Sequence, residues 1–142
     1  MSEQSKIHLA DYTIDFPMIQ RFADMSGDFN ALHVDREAAA KLPFGSVIAH
    51  GPISTSLLIN DVVDALGQFD PSADEYIHFS IKLIRPVKEN DTVTIGREVT
   101  EGDNQAFEIW VRNQSQDTVI AGKVAKRSGA QHRMSEIDSG SR

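Results

Sequence analysis

Cysteine is absent from the 142 residues of this chain. Disulfides, thiolate zinc sites and a thiol nucleophile are therefore excluded. Long apolar runs are also lacking, and no stretch approaches the roughly 20 residues that span a bilayer. Residues 1–6 are polar and carry no apolar leader segment. Positive charge is scarce: 14 Lys and Arg face 21 Asp and Glu, a net charge of −7. That balance argues against a nucleic-acid surface, which needs a basic patch. The basic residues gather locally at 82–88 and 123–133. Each reads first as solvated surface, although an anionic substrate tail would find cations there. With 40% hydrophobic and 25% charged residues, the composition is that of an ordinary globular domain. The expectation is one cytoplasmic domain with no nucleic-acid or membrane partner.

Turn residues and periodicity divide the chain. Residues 7–14 read as a short strand. Asp15 is an N-cap for a helix over 16–25, with Pro17 early enough that its missing N–H costs little. Phe16, Ile19, Phe22 and Ala23 share one face of it. Residues 28–34 are a turn-rich linker, and Asp35 caps a short Ala-rich helix over 36–41. Ile53, Leu57, Leu58, Val62 and Leu66 recur at helical spacing, which predicts a helix over 53–66 with Gly67 as its C-cap. From residue 75 the period changes to two, giving strands over 76–83, 91–100, 106–113 and 118–126 with turns at 102–104 and 113–117. Helices followed by antiparallel strands define an α+β fold, with one long apolar helix on a curved sheet. Residues 128–142 are polar and Ser-rich, and are expected to be a disordered tail.

Two short segments carry chemistry: Ser26-Gly27-Asp28-Phe29-Asn30-Ala31-Leu32-His33 and Ala49-His50-Gly51-Pro52. In a helix, five residues turn about 500°, which would leave Asp28 and His33 pointing about 140° apart. In a strand they would face opposite sides. They converge only if the chain turns between them, and Gly27 and Asn30 permit turns. A carboxylate and an imidazole on one cleft can share a water, one taking its proton while the other orients it. Gly51 stands where the long helix begins. Its backbone N–H, and after Pro52 that of Ile53, offers a donor to an oxygen that becomes negative, such as a thioester carbonyl. Taken singly, Asp28 and Asn30 read as local backbone caps, and His50 as a pocket residue or a partner of backbone. Ile53, Leu57 and Leu58 either bound a pocket or simply fill the core.

Other chemistries fit less well. His33-Val34-Asp35 matches the His-x-Asp half of a two-histidine, one-carboxylate metal site, with His50, His78 or His132 as a third ligand. The close spacing of Asp35 and His50 and the helix-first order disagree with that plan, and no metal is expected. Ser46 and Ser54 lack the setting of a nucleophilic serine.

The run from Phe22 to His33 resembles the hydratase signature of the MaoC-like, (R)-specific enoyl-CoA hydratases and dehydratases, and 47–52 resembles their Pro-Ile-Ala-His-Gly-Met pattern. Ala31 and Val47 stand where that family has Pro, and Pro52 where it has Met. The resemblance implies a single hotdog domain over residues 1–127, its sheet wrapped around the central helix. It implies Asp28 and His33 as the catalytic pair, with Gly51 holding the thioester oxygen and Asn30, His50 and Ile53 nearby. The implied reaction is syn addition of water to a trans-2-enoyl thioester of CoA or an acyl carrier protein, or the reverse dehydration. No cofactor is implied, and a homodimer is. Two rivals remain: a hotdog thioesterase, in which Asp28 directs water to the thioester carbonyl, and a non-catalytic thioester-binding or partner subunit. Intact Asp28 and His33 argue against the second.

Overall fold

The computed structural model describes residues 6–67 and 70–129. Residues 1–5 and most of the expected tail, 130–142 with His132, lie outside them. In chain order the elements are β1 (Lys6–Thr13), α1 (Phe16–Ser26), α2 (Ala31–Val34), α3 (Arg36–Ala40), α4 (Gly51–Ala65), β2 (Glu75–Leu83), β3 (Thr92–Thr100), β4 (Asp103–Arg112) and β5 (Thr118–Ser128).

The five strands form one antiparallel sheet in the order β1-β3-β4-β5-β2. Strands β3, β4 and β5 follow one another through tight turns. The neighbours of β1 and β2 are distant in sequence. β5 continues to Ser128 because it pairs with β2 out to Glu75. This pairing brings the backbones close: a Cβ on Gly122 would lie 2.2 Å from the Ser80 carbonyl oxygen, so only glycine fits there.

Helix α1 starts as its sequence dictates. The Asp15 carboxylate accepts from the Met18 N–H at 3.0 Å, and Gly27 ends the helix with a left-handed φ of 78°. Ile19 and Ala23 are buried, while Phe16 and Phe22 are partly buried against the core. Helix α4 begins at Gly51, two residues before the apolar period, because Pro52 is accommodated in a first turn that needs no N–H. Leu66 is its C-cap, and Gly67 follows with a φ of 77°. Ile53, Leu58 and Val62 of α4 share one core with Val93, Ile95, Ile109 and Val124 of the sheet. Core packing therefore accounts for Ile53 and Leu58, with Leu57 at its margin.

One polar contact fastens α4 to the sheet edge. The Tyr12 hydroxyl donates to both Asp61 carboxylate oxygens, at 3.1 and 3.0 Å. Partial burial, then the Asp61 carboxylate, push the Tyr12 phenol above its ordinary value of 10.0. The neutral phenol is the bonded form. Its contribution is thus complete below the ordinary tyrosine pKa and is lost as pH rises through the raised folded-state value. Tyr12→Phe should cost about 1 kcal/mol at neutral pH. The stability gap between the two proteins in urea melts should narrow as pH rises through the raised folded-state value of the wild-type phenol.

Candidate active site

The linker between α1 and α3 is built from side chains that cap their own backbone. Asp28 Oδ1 accepts from the Asn30 N–H at 3.2 Å, and Asn30 Oδ1 accepts from the Leu32 N–H at 3.0 Å. These bonds wind residues 31–34 into one helical turn, α2, where the sequence suggested an irregular linker. Ala31 is its first residue, a position that suits proline and alanine alike. Asp35 is turned to its own helix, its carboxylate accepting from the Ala38 N–H at 3.0 Å.

The turn carries His33 inward. Its Nδ1 lies 2.7 Å from the Ile48 carbonyl oxygen. A carbonyl only accepts, so Nδ1 carries the proton and Nε2 of the neutral ring presents a lone pair. That Nε2 stands 3.9 Å from Asp28 Oδ2. The gap is too wide for a direct hydrogen bond, yet a water about 2.8 Å from each atom fits it. Asp28 thus divides its work: one oxygen holds the turn and the other faces the imidazole. The His33 side chain is 14% exposed and that of Asp28 53%.

The second segment lies directly against the first. Val47, Ile48 and Ala49 are buried and run between α2 and the chain after β2. Ile48 N–H donates to Leu32 O at 3.2 Å and Ala49 N–H to Val87 O at 2.7 Å. His50 follows as the N-cap of α4, only 3% exposed. Its ring stacks on His33 at 3.9 Å between centroids and lies 4.7 Å from the Phe22 ring. Its Nε2 is 2.9 Å from the Asp28 carbonyl oxygen.

A cavity of about 310 Å³ opens beside this cluster, lined by His33, His50, Gly51 and Ser54 on one side and by Leu83 to Val87 on the other. As the first residue of α4, Gly51 has an N–H with no acceptor in its own helix. A Cβ there would come within 2.8 Å of Leu83 Cδ2, so glycine lets the Leu83 side chain pack close to the start of α4. The Ile53 N–H is already given to His50 O at 3.1 Å, and its side chain is in the core. Of the two donors expected from the sequence, Gly51 is the one left for a ligand. Asp28, Asn30, Pro52 and Ile53 do not line the cavity; Asp28 stands beyond His33, which does.

Ser54, weighed from the sequence only as a nucleophile, and the apolar part of the 83–87 wall are additions to the expected site, while Arg85 belongs to the basic stretch 82–88 that the sequence offers to an anionic substrate tail. Ser54 lies one turn after Gly51, which is a local signal. The wall is brought in only by tertiary pairing. Ligand atoms of Asp28, His33 and His50 lie within 4.8 Å of one another. Each imidazole gives one of its nitrogens to a backbone carbonyl, His33 Nδ1 to Ile48 and His50 Nε2 to Asp28.

A long helix packed on an antiparallel sheet, with a carboxylate and an imidazole near its N-terminus, is the arrangement of a hotdog-fold protein. The chain belongs to the MaoC like domain family, whose model matches residues 2–124. The R-hydratase PhaJ1 of Pseudomonas aeruginosa superposes with a TM-score of 0.67 at 28% identity, over 87% of this chain and 79% of that one. The (R)-hydratase of A. caviae gives 0.67 at 26% identity, over 87% and 93%. The 3-hydroxybutyryl-CoA dehydratase of Methylorubrum extorquens is 38% identical over 81 residues, 56% of this chain and 49% of that protein. The match thus spans about half of that relative. Among the described residues, no helix is long and apolar enough to cross a membrane.

Proposed function

We propose that this chain adds water to trans-2-enoyl thioesters with (R) stereochemistry, or removes it from 3-hydroxyacyl thioesters. The observation that carries this reading is the 3.9 Å spacing of His33 Nε2 and Asp28 Oδ2, two acceptors placed to grip one water by its two hydrogens. A water held this way has its oxygen lone pairs free for an electrophilic carbon. As the oxygen bonds to Cβ, Asp28 takes one proton. The alkene electrons move toward Cα and the thioester oxygen, where the Gly51 N–H and the N-terminal end of α4 stabilise the charge. His33 orients the water and assists return of the proton to Cα on the same face. One water is consumed, and both side chains end in their starting ionisation states.

Crotonyl-CoA and 3-hydroxybutyryl-CoA test this, with enoyl absorbance and free thiol followed together. Loss of absorbance without thiol release, giving the (R)-alcohol, is expected. Thiol release would instead establish the thioesterase.

Both natural carriers attach acyl groups through phosphopantetheine, and Arg85 stands exposed in the cavity wall of an acidic chain. Arg85→Gln should raise KM for crotonyl-CoA about five-fold, the scale of an exposed ion pair. It should leave crotonyl-pantetheine, which has no phosphate, unchanged.

The reading extends to a homodimer. Strand β2 is a sheet edge, and Leu83 and Ile84 at its end are 55% and 46% exposed beside the cavity. A second copy on this edge would cover both and exclude water from the Asp28 side. Sedimentation at micromolar concentration should give twice the mass of the chain.

A further inference from the structure

We infer that His50 is a positioning residue that fixes Asp28 and His33 relative to the N-terminus of α4 while touching no reacting atom. Three contacts meet on this one ring. Its Nε2 is 2.9 Å from the Asp28 carbonyl oxygen, and a carbonyl accepts, so Nε2 carries the proton and donates. One face lies on His33, 3.9 Å between centroids with 25° between planes, and Phe22 lies 4.7 Å away. Its backbone is the N-cap of α4, directly before Gly51.

Three separate parts of the chain must stay in register for the site to work. They are the turn bearing Asp28, the His33 ring and the Gly51 N–H. His33 has its own anchor on Ile48. The Asp28 turn is held from within by Ser26, Asp28 and Asn30, bonds that shape it but do not tie it to α4. The His50 donor supplies that tie across 22 residues of sequence. The remaining ring nitrogen, Nδ1, is buried and has no hydrogen-bond partner among the described residues. Of the ring's two nitrogens, the one that bonds is spent on backbone. A buried histidine used in this way holds geometry, and a misplacement of about 1 Å in such a site costs on the order of 100-fold in rate.

His50→Gln keeps an N–H donor at the reach of Nε2 and loses the stack. His50→Phe keeps the stack and loses the donor. His50→Asn offers an amide only at the reach of Nδ1 and reports the same loss should the Phe variant fail to fold. The kinetic arm rests on the hydratase reading. With crotonyl-CoA, Gln should retain kcat within about three-fold, while Phe and Asn should lose about 100-fold in kcat with KM nearly unchanged. Equal loss in Gln and Phe, or full kcat in Phe or in Asn, would overturn the inference. A second arm needs no substrate. Amide hydrogen exchange at Asn30 and Leu32 should quicken in Phe and Asn and stay near wild type in Gln. Unchanged exchange in Phe and Asn would overturn the inference even where kcat falls. If wild-type protein leaves thioesters untouched, the proposed reaction fails, and the exchange contrast still decides the role of His50.

Discussion

Asp28→Asn should lower kcat for crotonyl-CoA hydration by about 1,000-fold, within the range for a lost general base, with KM changed less than about three-fold. The reason lies in the two oxygens of this carboxylate. Oδ1 accepts from the Asn30 N–H, and an asparagine carbonyl accepts equally well, so the turn survives. Oδ2 faces the His33 lone pair across 3.9 Å. In the variant an amide N–H stands there, a donor opposite an acceptor. It offers the bridging water a donor where the carboxylate offered an acceptor, and no carboxylate remains to take the water's proton. Circular dichroism and the melting temperature should match wild type, because the exposed side chain keeps its structural bond. Full activity in a folded Asp28→Asn protein would remove Asp28 from the chemistry.

The same two oxygens show how far the sequence could be read. Asp28 and Asn30 looked like backbone caps when taken singly, and both do cap backbone. The five-residue interval to His33 required a turn, and the turn is α2 with its cap. Short-range physics covers all of this: capping, turn propensity and helical period. It also covers α1, the approximate extent of α4 and the hairpins of β3, β4 and β5. Out of reach was whatever depends on contacts between distant segments. The edge positions of β1 and β2 follow from pairing with β3 and β5. Residues 83–87 form a cavity wall because Ile84 and Arg85 bond to Val119 and Ala49 bonds to Val87. No periodicity records those pairings. The place of Gly51 at the start of the long helix was legible, but the bond from Ile53 N–H to His50 O was not, since it depends on the helix starting two residues earlier than its apolar period.

His33→Ala should lower kcat by a similar factor, about 100- to 1,000-fold, and the double variant Asp28→Asn/His33→Ala should be no slower than the slower single variant by more than about three-fold. If each residue acted on its own substrate atom, the two losses would multiply. In the proposed mechanism they act on one water, which fits the 3.9 Å between them, and removing either acceptor releases it. The stability readout separates the two positions. Truncating His33 leaves the Ile48 carbonyl without its 2.7 Å donor and bares one face of the buried His50 ring. That variant should lose about 1–3 kcal/mol of folding stability, whereas Asp28→Asn should lose almost none. Rates are therefore to be compared well below the lower melting temperature. Multiplying losses would mean that Asp28 and His33 serve different steps, and the single-water mechanism would have to be abandoned. A plateau in the double variant, joined to unequal stabilities in the singles, would tie both side chains to the same water.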